Sequence, residues 1–499
     1  MSRYIMAIDQ GTTGTRIMIV DRAGEIVSMA YSEFSQIYPR AGWVEHNPEV
    51  IWDTTVAMMH RTLEKISASP SDIVGIGITN QRETTVLWER DTLKPVHNAI
   101  VWQCRRSAPI CDDLKDGGHG PLFQEKTGLI IDAYFSGTKI KWLLDNVPGL
   151  MSRARAGEIA FGTIDTWLIA KLTRGKIHAT DYTNASRTLI FNIHDKRWDK
   201  DLLELLDIPP AILPDVVNSA GVVGATDPSI LGREIPIAGI AGDQQAALFG
   251  QGCFLEGEAK NTYGTGCFLL LNAGSRKIEP KNGLILTLAC DENGRPCYAL
   301  EGSIFIAGAV VQWLRDGLGL IQSAVESGEI ASSVKDTNGV YMVPAFAGLG
   351  APHWDMYARG AILGITRGTT RAHVVRAALE GIAYQVKDLI SAFEDTTGVS
   401  FAELKVDGGA SLNDFLMQFQ ADIAGCPIDR SKYVESTGMG AAFLAGIATG
   451  FWKPGQEIKS LRKSDRRFTP SISDKKRDEI YRGWLDAVSR VRCSNRTGA

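Results

Sequence analysis

Short apolar runs alternate with helically spaced stripes along this chain. Tyr4–Ile8 and Ile17–Val20 are apolar and β-prone, with the Gly/Thr-rich stretch Gln10–Thr15 between them. That order predicts a strand–turn–strand hairpin in which Gly11 and Gly14 take the tight positions. Asn47-Pro48-Glu49 predicts a helix start with proline in its first turn, and Val56, Met59, Leu63 and Ile66 continue it at helical spacing. Ile73–Ile78 and Thr84–Trp88 read as further strands, the first running into Thr79-Asn80-Gln81-Arg82-Glu83. Strands followed by helices in this alternation predict an α/β sheet rather than a sandwich.

The pattern restarts around Gly239–Gln251. Glu258–Asn272 predicts a second strand, turn and strand about Tyr263-Gly264-Thr265-Gly266, so residues 260–272 repeat the plan of residues 7–20. We read this as an internal duplication with its boundary near Gly252, giving domains 1–252 and 253–499. Val375, Leu379, Ile382, Val386, Leu389 and Phe393 predict a long amphipathic helix. Leu404–Val406 predicts a strand leading into Asp407-Gly408-Gly409-Ala410-Ser411. Leu412, Phe415, Leu416, Phe419 and Ile423 then form another helical stripe, and all these stripes are assigned to the core.

Composition narrows the class. At 499 residues the chain exceeds the size at which one core stops growing, which supports two domains. A net charge of -4 offers no broad basic field, so no nucleic-acid partner is expected. No apolar run approaches the length of about 18 residues that marks a bilayer span, so no stable membrane insertion is expected. The start MSRYIMAIDQ reaches Asp9 too early for the apolar region of a signal peptide. The eight cysteines form no C-x-x-C pair, and a reduced, cytoplasmic chain is the simpler expectation.

Candidate chemistry begins with what is missing. There is no G-x-x-x-x-G-K-[ST], no G-x-G-x-x-G opening a helix and no H-R-D loop, so P-loop, Rossmann and protein-kinase classes lose their main support. Asp9-Gln10-Gly11-Thr12-Thr13-Gly14-Thr15-Arg16 instead places an acid, a Gly/Thr turn and an arginine together. Such an acid suits Mg²⁺ through water, and such a turn suits phosphate oxygens. Gly264-Thr265-Gly266 and Asp407-Gly408-Gly409 are weaker candidates of the same kind. Arg82-Glu83 follows a strand end, where α/β folds place ligands. Asp243, in Ala241-Gly242-Asp243-Gln244-Gln245, opens a predicted helix and fits a carboxylate that accepts a hydroxyl proton during phosphoryl transfer. From the residues alone, a polar hairpin, a helix cap at Asp243 and a plain glycine-rich loop stay open.

Taken together, these segments resemble the FGGY carbohydrate kinases, and within them the members that act on glycerol. Tyr134–Asn146 looks like the first family signature; Gly360–Ile365 followed by His373–Glu380 looks like the second. Residues 77–85 and 242–247 look like the glycerol-specific stretches, and the resemblance runs from Asp9 to at least Gly450. It implies an α/β, two-domain actin-like ATPase (ribonuclease H-like) fold with the active site in the inter-domain cleft. It also implies ATP with Mg²⁺, glycerol as substrate and a dimeric or tetrameric homo-oligomer. By the same resemblance Arg82, Glu83, Tyr134, Asp243 and Gln244 hydrogen-bond glycerol, Trp102 and Phe268 pack on its carbons, and Asp243 is the general base. Thr12, Thr13, Gly14, Arg16, Gly264, Thr265, Gly308, Gln312, Gly409 and Asn413 match nucleotide-binding positions, and Asp9 and Asp243 match magnesium positions. Gly14 departs from the serine common there. Glu234 in Leu231–Ile237 stands where members inhibited by fructose 1,6-bisphosphate carry arginine, with Arg233 the alternative partner, and Ala225–Glu234 has no histidine, so neither that inhibition nor histidine phosphorylation is expected from the resemblance. The rival readings are a kinase for another polyol or ketose (xylulose, ribulose, gluconate) and a nucleotide-gated binding module.

Overall fold

The computed structural model describes residues 3–355 and 357–492. Contacts among the described residues divide into two compact units: residues 3–254, 286–299 and 437–462 form the first, and those within 255–285, 300–436 and 463–492 form the second.

The first unit is built on a six-stranded sheet. Its strands are β1 (Tyr4–Gln10), β2 (Gly14–Val20), β3 (Ile26–Glu33), β4 (Ile73–Asn80), β5 (Ala220–Ala225) and β6 (Pro236–Gly242). They run in the spatial order β5-β6-β4-β1-β2-β3. The unbroken apolar run in β1 follows from burial on both faces. Met6 and Ile8 join a core cluster with Ile51, Met59 and Leu63 of α1 (Pro48–Glu64). Ile5 and Ala7 face a second cluster with Phe249, Met439 and Leu444. α1 begins as expected, since the Asn47 side chain accepts the Glu49 N–H at 2.9 Å and Pro48 occupies the first turn. Its buried stripe is Ile51, Thr55, Met58, Met59, Thr62 and Leu63; Ile66 lies past its end.

Register aligns the strand ends. β1, β4 and β6 are mutually parallel, with Gln10 opposite Asn80 and Asn80 opposite Gly242. The segments that follow these three strands, Gly11–Thr13, Gln81–Glu83 and Asp243 onward, therefore leave the sheet side by side. The helix spanning Ser436–Ala448 returns residues 437–448 to this unit, and a Cβ at Gly77 would lie 2.1 Å from the Ala441 carbonyl oxygen. Only glycine at 77 admits that approach.

The second unit repeats the plan. β7 (Ala259–Tyr263) and β8 (Cys267–Gly274) form an antiparallel hairpin, and β7 runs parallel to β9 (Leu404–Asp407) with Thr262 opposite Asp407. β10 (Ile428–Ser431) extends the parallel part and β11 (Ser464–Phe468) follows it antiparallel, giving the run β8-β7-β9-β10-β11 within a seven-stranded sheet. Hairpin plus parallel neighbours is also the arrangement of β2-β1-β4-β6, so the duplication read from residues 7–20 and 260–272 is a duplication of topology. The helix Arg371–Thr397 buries all six residues of its expected stripe. The stripe after β9 needs one correction. The helix spans Asp414–Ala424 with Asn413 as its cap, so Leu412 precedes it and is 60% exposed rather than core.

Candidate active site

The Gly/Thr turn after β1 is shaped from behind. The Gly11 carbonyl accepts from Gln10 Nε2 (2.7 Å) and Gln81 Nε2 (3.2 Å), the Thr12 carbonyl from Gln36 Nε2 (2.9 Å), and the Thr13 carbonyl from the Phe34 N–H (3.2 Å). Because a trans peptide points its C=O and N–H in opposite directions, each held carbonyl turns the next N–H outward. The amides of Thr12 and Thr13 are thus the ones this turn leaves for an anion. Gln36 is set in turn by His46, whose Nε2 lies 2.5 Å from Gln36 Oε1 and whose Nδ1 lies 3.3 Å from Gln81 Nε2. Burial pushes the His46 imidazole down to about 4. A neutral ring fits both contacts: Nε2–H donates to Gln36 and Nδ1 accepts from Gln81. Asp9, at the end of β1, pairs with Arg16 at 3.3 Å, with Asp9 and Arg16 directly opposite in the β1–β2 ladder.

Arg82 and Glu83 follow β4 and are both buried. The Arg82 guanidinium reaches Asp243 Oδ1 (3.1 Å), Gln245 Oε1 (3.2 Å) and the Tyr134 hydroxyl (3.4 Å). Glu83 sits at φ +61°, a backbone region that side-chain-bearing residues seldom adopt, so its neighbours must hold it there. Its carbonyl accepts from Ser136 Oγ (3.0 Å) and Thr85 Oγ1 (3.1 Å), and its carboxylate accepts from Arg187 Nε at 2.6 Å. The Arg187 guanidinium lies over the Tyr134 and Phe135 rings, 5.5 and 5.2 Å from their centroids. Lys139, fully buried on the helix Ser136–Asn146, donates to the Tyr134 and Phe135 carbonyls, and burial pushes its amine down to about 8. Trp102 meets Tyr134 edge-on at 5.5 Å.

Asp243 is the first residue of the helix Asp243–Gly250, whose cap position is Gly242, so Asp243 does not cap it. Its Oδ1 accepts the Gln244 N–H (2.7 Å) and its Oδ2 accepts Gln244 Nε2 (3.2 Å). The Gly242 N–H donates to Thr183 Oγ1 (2.8 Å), and Thr183 Oγ1 donates to the buried Asp181. Burial pushes the Asp181 carboxyl upward, against the donors of Thr183, Asn184 and Ser219. The Asp243 side chain is 32% exposed, whereas Arg82, Glu83, Gln244 and Gln245 around it are buried.

In the second unit the turn after β7 meets a helix start. The Gly264 carbonyl accepts the Gly308 N–H (2.9 Å), and the Thr265 carbonyl accepts those of Ala307 (2.7 Å) and Ala309 (3.2 Å). A Cβ on Gly308 would lie 2.6 Å from the Gly264 oxygen, and Gly408 at φ +86° passes as closely against the Tyr263 backbone. Beside them lies a cavity of about 770 Å³ lined by Gly264, Thr265, Gly308, Gln312, Gly409 and Asn413, together with Val311, Arg315, Val325, Leu412 and Phe415. Its size and mixed lining suit a nucleoside-sized ligand.

A family model described as the FGGY family of carbohydrate kinases, N-terminal domain, matches residues 4–250, and its C-terminal counterpart matches residues 259–449. This chain belongs to the FGGY family of carbohydrate kinases. It is 58% identical over 491 residues to a glycerol kinase of Caldanaerobacter subterraneus subsp. tengcongensis, covering 98% of this chain and 99% of that relative. It is 58% identical over 488 residues to glycerol kinase 2 of Thermotoga maritima, covering 98% of each. The crystal structure of Plasmodium falciparum glycerol kinase with ADP is 39% identical, with a TM-score of 0.92 and 98% of each chain covered. The chain accordingly has the two-domain α/β fold of FGGY kinases.

Within this FGGY fold the site residues read from the sequence fall into two groups. Asp9, Thr12, Thr13, Gly14, Arg16, Arg82, Glu83, Trp102, Tyr134, Asp243 and Gln244 belong to the first unit, where Arg82 touches Tyr134 and Asp243, and Trp102 bonds Thr12. Gly264, Thr265, Gly308, Gln312, Gly409 and Asn413 gather around the second unit's cavity, while Phe268 stands on β8 opposite Thr262. Sequence reasoning passed over Arg187, Lys139 and Gln245. Lys139 lies inside the first signature and Gln245 beside Asp243, so both had a signal. Arg187 had none beyond its place after Asn184-Ala185-Ser186, a stretch that looks like a glycosylation acceptor and is in fact buried.

Proposed function

We propose that this chain transfers the γ-phosphoryl group of ATP to glycerol, giving sn-glycerol 3-phosphate, with Asp243 as general base. One observation carries the reading: a partly open carboxylate, held at 3.1 Å by a buried arginine that also reaches a tyrosine hydroxyl. A small triol has several hydroxyls and one carbon face, so it needs fixed donors and acceptors beside an apolar wall. Arg82, Glu83, Tyr134, Asp243 and Gln244 supply the first, and Trp102 and Phe268 the second. The identity of 58% to a glycerol kinase across 98% of the chain supports glycerol over a sibling polyol.

In this reading residues 1–252 bind polyol and phosphate, and residues 253–499 bind nucleotide. Thr12, Thr13, Gly14 and Arg16 receive phosphate oxygens, as do Gly264 and Thr265. Gly308, Gln312, Gly409 and Asn413 line the base and ribose site. Asp9 and Asp243 hold Mg²⁺. Among the described residues no group of three or more His, Cys, Asp or Glu could hold a metal by itself. Separate carboxylates still fit Mg²⁺, which takes one or two of them and fills its shell with water and phosphate oxygens. When bound, such an ion neutralises charge on the transferring group. The Asp243 carboxylate takes the proton of the attacking hydroxyl, and Arg82 fixes its direction. We place the activity in the cytoplasm, where ATP is supplied, in a homodimer or homotetramer that light scattering would identify.

The test is ADP release from Mg·ATP by the purified chain across a panel of polyols and ketoses. Selective stimulation by glycerol is expected. Stimulation by a pentulose alone overturns the substrate, and no stimulation by any of them overturns the kinase reading.

A further inference from the structure

Three residues stand in one row across the first sheet. Asp9 is directly opposite Arg16 in the β1–β2 ladder, and Arg16 is directly opposite Tyr31 in the β2–β3 ladder, so their side chains share one face. Asp9 and Arg16 form the 3.3 Å ion pair, and the Arg16 guanidinium lies 5.3 Å from the centre of the Tyr31 ring. The ring leans toward the Gly/Thr turn. A Cβ built on Gly14 would lie 2.6 Å from the Ser32 carbonyl oxygen and 2.7 Å from both Tyr31 Cε2 and Tyr31 Oη, so the phenol and the neighbouring strand's backbone together fill the space beside position 14. Tyr31 Oη also lies 3.5 Å from Thr13 Oγ1, too far for a strong mutual hydrogen bond. Tyr31 is 42% exposed and Thr13 is exposed as well, so the pair of hydroxyls lies at the surface.

We infer that Tyr31 is a further nucleotide-binding residue, its phenol donating jointly with Thr13 Oγ1 to a phosphate oxygen of a nucleoside triphosphate seated on the Gly11–Gly14 turn. Gly14 leaves room for the phenol beside the turn, since a side chain there would meet the ring as well as the Ser32 backbone. The ring has a second effect: stacked on Arg16, it keeps the guanidinium over Asp9 and beside the same turn. This inference rests on the kinase reading above.

The experiment compares the full chain with Tyr31→Phe, which removes one oxygen and keeps the ring. Calorimetric titration with the magnesium complex of a non-hydrolysable ATP analogue is expected to give a dissociation constant raised about tenfold, the loss of one hydrogen bond to a charged group. Glycerol affinity and melting temperature are expected to stay at wild-type values. An unchanged nucleotide dissociation constant overturns the inference. Parallel loss of nucleotide affinity, glycerol affinity and melting temperature also overturns it, in favour of a packing role. If the wild-type chain binds no nucleotide, the kinase reading falls with it, and the wild-type titration reveals that before any variant is compared.

Discussion

The indole Nε1 of Trp102 donates a hydrogen bond to Thr12 Oγ1 across 2.9 Å. The same ring meets Tyr134 edge-on, so one side chain proposed as the glycerol wall touches both a hydrogen-bonding group proposed for glycerol and the turn proposed for phosphate. Trp102→Phe keeps an aromatic wall and deletes the donor. Steady-state kinetics are expected to show KM for ATP raised about threefold to tenfold, the range of one lost neutral hydrogen bond. A residue serving only as wall would move the glycerol constant and leave that for ATP unchanged.

Asp243→Asn retains the shape of the side chain and removes its basicity. The kcat is expected to fall about a hundredfold to ten-thousandfold, the usual contribution of a positioned base. Glycerol binding, followed by calorimetry, is expected to survive. A variant with near-normal kcat would remove Asp243 from the chemistry.

Glu83 and Arg187 form a buried pair, with side chains 2% and 0% exposed. Arg187→Met leaves the Glu83 carboxylate with less compensation at a backbone angle the chain does not otherwise favour. Denaturant unfolding is expected to show a loss of about 3–5 kcal/mol, the cost of breaking a buried ion pair from one side. Adding Glu83→Gln is expected to restore part of that stability without restoring glycerol affinity. Stability lost equally in the double variant would show that the pair does not act as a unit.

His46 predicts how the fold responds to acid. Its pKa is lowered by burial from 6.5 to about 4, so between those values the unfolded chain binds a proton that the folded chain does not. Stability therefore falls as pH drops through that window, by about 2 kcal/mol near pH 5 relative to neutrality. His178, also buried and lowered to about 4, adds a loss of the same sign. His46→Gln is expected to flatten the decline in melting temperature between pH 7 and pH 5 without abolishing it, because His178 remains. Protonation of the folded ring, which removes the acceptor His46 offers Gln81, comes only near pH 4, so activity lost through this contact is expected below the window in which stability falls.

Much of the site was legible because its signals are local. A glycine-rich turn between two apolar runs, asparagine before proline at a helix start and an acid at the head of a helix are features of a few adjacent residues, and each formed where expected. Leu412 misled because helical spacing alone does not locate a helix start: the Asn413 cap sets it two residues later, leaving Leu412 at the cavity. Arg187 was invisible for another reason. Its partner Glu83 is 104 positions away, and a lone arginine carries no local mark of what it will face.

The sequence by itself determined the hairpins, the helix caps, the repeated plan and the residue types that phosphate and polyol chemistry need, since short-range sterics and apolar periodicity specify all of these. Only the tertiary structure decided that Gln10, Asn80 and Gly242 lie in one row, so that three separated segments emerge together. It also decided that residues 437–462 rejoin the first unit and that Tyr31 fills the space beside Gly14. Parallel register and close packing depend on surfaces brought together from distant parts of the chain, and their complementarity exists only once both surfaces have formed.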